Sequence, residues 1–295
     1  MRSPAAIVSD IRARRAILRV VGRPHRRRGP LPRQKQPDSI RLSYFRALLD
    51  VLAQAKQLVE RAEPRLRAFV ERAASARGDG IRTDAHEDDP NEIFDELSEG
   101  FFREFDTERL TELARQYAIR TSEFQREQLR RQIKNAMGVD VVQAEPWLEP
   151  KIVDFARENV ALIKSVPTQY FAELEKSVAQ GMRSGVRWEE IASDMEDRYG
   201  VAENRAKLIA RDQVGKMAAE VNQARQEDLG VKRFIWRTSN DNRVRDSHVE
   251  LEGKTFDWDD PPIVDGEPAT PGSPVQCRCE AQPVLDELLG AVDEE

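Results

Sequence analysis

Apolar residues recur at steps of three and four along the chain as far as Leu229, which is the spacing of long amphipathic helices. The first helix is expected after Asp38-Ser39, because these side chains can accept a hydrogen bond from a first-turn amide. Its apolar stripe comprises Leu42, Phe45, Leu48, Leu49, Leu52, Ala55 and Leu58 or Val59. Pro64 should kink this helix, Pro167 should open another, and Gly200 should end a third. Most of the chain is therefore predicted to be helical.

Two further helices follow from the same spacing. One is predicted from Asn91 to about Met137, with Gly100 as a point where it could break. Another is predicted from about Ala202 to Leu229, ended by Gly230, a residue type that is common just past the end of a helix.

The pattern changes after Gly230. The stretch KRFIWRTS alternates and is rich in β-forming residues, so it predicts a strand. A turn should follow at 240–242, then a short helix carrying His248, and a hairpin turn at Gly253-Lys254. After Trp258 a proline-rich segment predicts about 20 irregular residues. The fold class is mainly α with a small α+β C-terminal domain: long N-terminal helices, then a helix–strand–hairpin unit with a long irregular loop.

Charge is segregated along the 295 residues, although the net charge is only −6. Residues 1–36 hold eleven Arg or Lys residues and one acid, whereas the last ten residues hold five acids and no base. We predict a basic flexible arm over 1–38, a helical arm or hairpin over 39–140, a C-terminal domain over 141–285, and an acidic tail over 286–295.

The basic arm has two interpretations. Arg26, Arg27 and Arg28 are candidate contacts for DNA phosphates, in which case binding would weaken with salt. The alternative is a solubilising segment, because runs of like charge are usually only solvated. The chain shows no apolar stretch that predicts a membrane segment and no secretory signal.

The rarest polar residues cluster near the C-terminus. His248, Cys277 and Cys279 together supply an imidazole and two thiols, which are good zinc ligands, and Asp241 or Asp246 could complete a set of four. However, the Cys-x-Cys spacing differs from that of zinc fingers. We therefore expect no cofactor and keep a structural zinc as an open possibility.

The alternative to a metal is a buried Cys-Arg-Cys turn. In that arrangement Arg278 would pair with an acid such as Asp241 or Asp246, and His248 would bond to backbone. With only two cysteines, a disulfide framework is excluded, and we expect reduced thiols. His86, which lies among acids in a polar segment, is a weaker candidate metal ligand.

Catalysis has partial support in the sequence. A Cys/His pair can act as nucleophile and base, and Asp246-x-His248 could belong to a metal-dependent nuclease. Neither is accompanied by a glycine motif that would cradle phosphates or by an oxyanion loop. The chain is therefore predicted not to be an enzyme.

The order and spacing of unusual residues over about 160–285 resembles the head morphogenesis family of tailed phages, the Mu F-like minor head proteins. The ordered set includes Ser247-His248, Pro271-Gly272 and Cys277-Arg278-Cys279. Its other signature residues are Arg211, Asn222, Trp236, Asp241, Arg243, Gly253 and Arg278. The resemblance implies that residues 141–285 form a Mu F-like domain in which Arg211 and Asn222 pack against the following loops.

The resemblance also implies a function. It predicts a minor structural protein of a tailed-phage or prophage head, assembled in the bacterial host cytoplasm and bound inside the capsid at or near the portal. The protein would be needed for head morphogenesis, DNA packaging or DNA delivery. Its partners would be portal, capsid or scaffold proteins, and residues 1–36 could also contact packaged DNA. One alternative is a Cys/His or metal-dependent hydrolase acting on nucleic acid or peptidoglycan. Another is a DNA-binding module that works through the basic arm.

Overall fold

Long helices dominate the structure, a computed structural model that describes residues 31–78, 90–137 and 145–285. The helices in these ranges are α1 (Asp38–Gly78), α2 (Pro90–Glu104), α3 (Thr107–Met137), α4 (Leu148–Ser184), α5 (Trp188–Asp228) and the short α6 (Asp246–Val249). The strands are β1 (Arg233–Arg237), β2 (Thr255–Asp257), β3 (Ile263–Val264), β4 (Glu267–Pro268) and β5 (Glu280–Pro283). The predicted fold class, mainly α with a small C-terminal sheet region, is confirmed.

The predicted helix start at Pro167 and the predicted helix end at Gly200 are wrong, and Pro64, where a kink is predicted, does not interrupt its helix. Pro64 and Pro167 lie inside α1 and α4, and Gly200 lies inside α5. A proline removes one backbone hydrogen bond, but the burial of apolar residues on both sides of it keeps the helix continuous. Around Pro64 the buried residues are Ala62, Leu66 and Val70. A glycine within a helix costs only about 1 kcal/mol relative to alanine, which α5 accommodates.

A break also occurs where the sequence did not place one. The single helix predicted from Asn91 to Met137 is divided into α2 and α3 at residues 105–106, beyond Gly100. Asp106 starts the second helix, because its carboxylate accepts a hydrogen bond of 2.8 Å from the backbone N–H of Arg109.

The chain divides into two compact units, each assembled from separate stretches of sequence. The first comprises residues 1–40, 117–152 and 212–295, and the second comprises 41–116 and 153–211. Four helices, α1, α3, α4 and α5, contribute residues to both units. The segment boundaries predicted from the sequence stay predictions.

The second unit is all-helical where it is described. Its interior contains a stacked aromatic pair, Phe101 and Phe105, whose ring centroids are 4.8 Å apart. A buried polar pair lies in the same unit, where the Tyr44 hydroxyl is 3.1 Å from the Asn159 side-chain oxygen. Among the described residues, no helix combines the length and the apolar character that crossing a membrane requires.

The first unit contains a three-stranded antiparallel sheet in the order β2-β1-β5. The sequence missed β5, because its four residues end in Pro283 and do not alternate in polarity. The central strand buries Phe234 and Trp236 on one face, as the pattern KRFIWRTS predicts. These two residues form the centre of a small apolar cluster with Trp258, Val264, Ala269, Cys277, Cys279 and Ala281.

The predicted irregular loop after Trp258 contains a small hairpin made by β3 and β4. Asp265 and Gly266 occupy its turn with φ of 54° and 93°, and this left-handed pair is the signature of a tight hairpin turn. An Asp-Gly dipeptide is the strongest short-range hairpin signal, so the sequence did contain the information.

Candidate functional site

The short helix α6 places His248 in the apolar cluster of the first unit. The His248 side chain is 3% exposed, and its ring meets the Trp236 indole edge to face at a centroid distance of 5.5 Å. Its backbone N–H donates to the Arg245 carbonyl at 2.9 Å, which closes the single turn of the helix. The imidazole is thus held in a fixed orientation by the fold.

The Cys-Arg-Cys turn brings both thiols to the same side of this imidazole. The Nδ1 atom of His248 lies 3.4 Å from Cys279 Sγ and 3.6 Å from Cys277 Sγ. The three possible ligand atoms all lie within 4.8 Å of one another. Residues 29 and 31 positions apart in the sequence therefore form one compact group.

The two thiols differ in their protonation. The hydrogen bond from the Cys279 thiol lowers the pKa of Cys277 to about 6 against the opposing effect of burial. The backbone N–H groups of Cys279 and Gly272 also favour a Cys277 thiolate. The same hydrogen bond and burial raise the pKa of Cys279. The two shifts are opposite in direction, so Cys277 is the thiol of the pair that loses its proton more readily.

Arg278, which lies between the two cysteines, bonds to Asp241 and Gln36. Its guanidinium forms a two-pronged ion pair with the Asp241 carboxylate, and its carbonyl accepts a 3.0 Å hydrogen bond from Gln36 Nε2. The Arg278 guanidinium holds the pKa of Asp241 below its usual range. Because both oxygens of Asp241 are occupied, this carboxylate is not a further ligand. Among the described residues, neither Asp241 nor Asp246 joins the group of three.

The loop that leads to the turn is fixed at Gly272 by its close approach to helix α5. Gly272 has a φ of 95°, and a Cβ atom there would lie 2.5 Å from the Cβ of Ala219. Gly272→Ala should therefore lower the free energy of unfolding by about 2–3 kcal/mol, through backbone strain and overpacking together. Urea denaturation followed by circular dichroism measures the change.

Gly266→Ala is the matched control, because Gly266 has a φ of 93° but open space where a Cβ would lie. This variant isolates the backbone cost, about 1 kcal/mol. Equal losses in the two variants would contradict the close approach at Ala219.

A polar network ties helix α5 to strand β5. Asn222 Nδ2 and Gln226 Nε2 both donate to the carbonyl of Ala281, at 3.1 and 2.8 Å. Gln34 Nε2 in turn donates to the side-chain oxygens of Asn222 and Gln132, at 3.1 and 2.9 Å. Asn222 thus contacts strand β5, and its role in the family signature stays a prediction. Gln34, Gln132 and Gln226 were missed, because nothing in their local sequence distinguishes them from other glutamines.

A buried ion pair lies in the same unit. Arg225 donates to both Glu145 oxygens at 2.6 and 2.9 Å, and also to the Ser122 carbonyl and hydroxyl at 2.8 and 2.7 Å. The exposed fractions of the two charged side chains are 2% and 6%. All four contacts join residues at least 80 positions apart, so no local pattern predicts the pairing.

Residues 31–37, which lie in the predicted arm, have no regular secondary structure and are bonded to other parts of the first unit. Arg33 donates to the Thr238 carbonyl at 2.9 Å and forms a 2.7 Å ion pair with Glu252. Glu252 also accepts from the Thr238 N–H and hydroxyl at 2.6 and 2.8 Å. Burial alone would raise the pKa of Glu252, but these hydrogen bonds and the charge of Arg33 lower it overall.

A lowered folded-state pKa makes the contribution of Glu252 dependent on pH. The contribution is complete above the ordinary pKa of 4.5 and is lost as the pH falls through the lowered folded-state value. We expect Glu252→Gln to lower the free energy of unfolding by about 1–2 kcal/mol at neutral pH, with a smaller difference in acid. Urea denaturation of both proteins across pH 3–7 measures it (about one curve per pH unit suffices).

Glu250→Gln is the control, because Glu250 is exposed and two positions away. It should leave stability unchanged at every pH. A Glu252→Gln effect that grew as the pH fell would contradict the assigned sign.

The remaining predicted residues have varied positions. Gly253 has a φ of 78°, and its N–H donates to the Trp236 carbonyl at 2.9 Å where the chain turns into β2. Arg211 is half-buried in α5, and Arg243 is exposed. The candidates Arg26, Arg27, Arg28 and His86 and the acidic tail 286–295 lie outside the described residues.

The part of the chain that contains this site is similar to a known protein family. Residues 172–282 match the family of phage Mu protein F like proteins. The match confirms the resemblance to the phage head morphogenesis family predicted for about residues 160–285. This Mu F-like segment contains all of the sheet except the last residue of β5, together with His248 and the Cys-Arg-Cys turn.

One relative aligns with a longer part of the chain than the family match does. An uncharacterized protein of Haemophilus influenzae (strain Rd) is 36% identical over 157 residues, which covers 52% of this chain. The same alignment covers 34% of that protein, so the chain spans about a third of its relative's length. No solved structure matches the chain.

Proposed function

We propose that this chain is a minor structural protein of a tailed-phage or prophage head, bound inside the capsid at or near the portal. The observation that carries the proposal is the match of residues 172–282 to the Mu F-like family. The protein would be needed for head morphogenesis, DNA packaging or DNA delivery. Its partners would be portal, capsid or scaffold proteins, and it would be assembled in the cytoplasm of the bacterial host.

The geometry of the site supports a structural role. His248 and the two cysteines face one another in the apolar cluster, and each has at most 8% of its surface exposed. The polar side chains around this group are bonded within the protein. Arg278 bonds to the Asp241 carboxylate, and the Ala281 carbonyl accepts hydrogen bonds from Asn222 and Gln226. These contacts fix a proline-rich loop against a helix and a strand, which suits a rigid docking domain.

One observation favours a Cys/His hydrolase as the second candidate. The lowered pKa of Cys277 gives a thiolate next to an imidazole, the pairing that activates a cysteine nucleophile. Against it, the thiolate is buried and shares His248 Nδ1 with a second thiol. Cys277→Ser separates the two candidates: a folded variant that loses hydrolysis of nucleic acid or peptidoglycan would support the enzyme.

Recovery of partners tests the leading proposal. The tagged full chain, expressed in induced or infected cells and cross-linked before lysis, should recover portal or capsid protein. An untagged chain in the same cells is the control for nonspecific recovery. Recovery of neither protein, with the tagged chain present and folded, would contradict the proposal.

The basic arm provides a separate test for DNA as a partner. If residues 1–36 contact phosphates, the amount of DNA that the full chain retains should fall steeply as the salt concentration rises. A variant with glutamine at positions 26, 27 and 28 should show a weaker dependence on salt. Replacement of three exposed arginines elsewhere, such as Arg65, Arg131 and Arg157, is the charge-matched control. An unchanged salt dependence in the arm variant would show that the arm does not contact DNA.

A further inference from the structure

We propose that His248, Cys277 and Cys279 bind one Zn²⁺ ion that fixes the Cys-Arg-Cys turn to helix α6. This site is independent of the function proposed above, because it rests on the geometry of three side chains. The ion would replace the weak contacts between these side chains by three coordinate bonds. It would thereby close a loop of about 30 residues that contains little secondary structure.

The distances between the ligand atoms agree with a tetrahedral zinc site. A Zn–S bond of about 2.3 Å and a Zn–N bond of about 2.0–2.1 Å place nitrogen and sulfur about 3.5–3.6 Å apart at the tetrahedral angle. His248 Nδ1 lies 3.4 and 3.6 Å from the two sulfur atoms. All three atoms are also within 4.8 Å of one another, so a single ion can reach each of them.

A single hydrogen bond at Nδ1 satisfies only one of the two sulfur atoms. One ring nitrogen has either one hydrogen to donate or one lone pair to accept with, yet Nδ1 lies at nearly the same distance from both sulfur atoms. A metal ion between the three atoms satisfies all of them at once. The proton of the neutral imidazole would then reside on Nε2, which lacks a hydrogen-bond partner among the described residues.

The surroundings are those of a preformed site. The backbone N–H of Cys279 points to Cys277 Sγ at 3.4 Å, and contacts of this kind stabilise metal-bound thiolates. Arg278, held by Asp241, fixes the turn between the two ligands. Two thiolates and an imidazole select zinc over magnesium or calcium, which prefer oxygen ligands.

The fourth position is assigned to water. Within residues 31–78, 90–137 and 145–285, no fourth His, Cys, Asp or Glu joins the group. Three protein ligands with water in the fourth position is the coordination found in catalytic zinc sites. The site therefore needs no further residue of this chain to be complete.

Metal analysis of the purified full chain tests the site. Inductively coupled plasma mass spectrometry should find about one zinc per chain, and Cys277→Ser or His248→Ala should reduce it to below about 0.1. Replacing zinc by Co²⁺ should give an absorption band from thiolate-to-cobalt charge transfer. At high cobalt concentration the Cys277→Ser variant, which retains one thiolate, should show a weaker band than the parent protein. This optical signal reports coordination in soluble protein whose fold is checked by circular dichroism.

Two controls keep the test decisive. His86→Ala, which changes another of the three histidines, should retain about one zinc. Asp241→Asn leaves all three ligands in place but removes the ion pair that fixes Arg278 between the two cysteines, so it should weaken zinc binding without abolishing it. The proposal is overturned if the folded parent protein, after exposure to excess zinc and desalting, holds no stoichiometric metal and gives no cobalt–thiolate band.

Discussion

Arg225→Met should lower the free energy of unfolding by about 3–5 kcal/mol, because it leaves the Glu145 carboxylate buried without its partner. The methionine retains most of the apolar stem, so the loss is electrostatic rather than a cavity. The Ser122 carbonyl and hydroxyl also lose donors at 2.8 and 2.7 Å. Chemical denaturation followed by far-ultraviolet circular dichroism measures the difference.

A double variant separates the pair from its surroundings. Arg225→Met with Glu145→Leu should recover most of the loss, because no unpaired charge remains buried. The control is Arg131→Met, whose partner Glu127 lies one turn away in α3 with both side chains about half exposed. That surface pair should contribute only about 0.3–0.5 kcal/mol. An Arg225→Met effect no larger than this control would contradict the buried ion pair.

Trp236→Ala should have a comparable effect, about 3–5 kcal/mol, because it removes the largest fully buried side chain of the first unit. The indole packs on the His248 ring and belongs to the apolar cluster that includes both cysteines. The variant should therefore also loosen the three-residue site and speed the alkylation of the thiols. Urea denaturation and the rate of thiol labelling measure the two effects.

Two variants calibrate this prediction. Trp236→Phe retains part of the aromatic volume and should lose less stability than the alanine variant. Val275→Ala shortens a side chain that is 60% exposed, and it should change stability by less than about 0.5 kcal/mol. If Trp236→Ala destabilised the chain no more than Val275→Ala does, the assignment of Trp236 to the core would be wrong.

Much of the fold could be predicted from local patterns, and the failures have a common cause. The apolar stripes located the long helices, and the alternation of KRFIWRTS located β1. Pro167 and Gly200 were wrongly predicted to bound helices, because their local cost is small against the burial of the apolar stripe on either side. Local propensity is outweighed wherever a long apolar face stays buried.

The candidate site was predictable in composition but not in geometry. His248 and the two cysteines are rare residue types in this chain, which made them candidate site residues. The ordered motif predicted the resemblance to the Mu F-like family, and the match over residues 172–282 confirms it. The pairings of Arg225 with Glu145 and of Gln34 with Asn222 could not be predicted, because they join residues 80 and 188 positions apart. Such contacts depend on the tertiary packing of common residue types, which no local pattern encodes.

The most direct test of the central claim is the protein composition of phage heads. Heads from an induced or infected host, purified by density gradient, are analysed by quantitative mass spectrometry with the portal protein as the internal reference. The proposed function predicts that this chain sediments with the heads in a fixed, low ratio to portal protein. A chain that is expressed and folded in the same cells, but remains entirely at the top of the gradient, would contradict the claim.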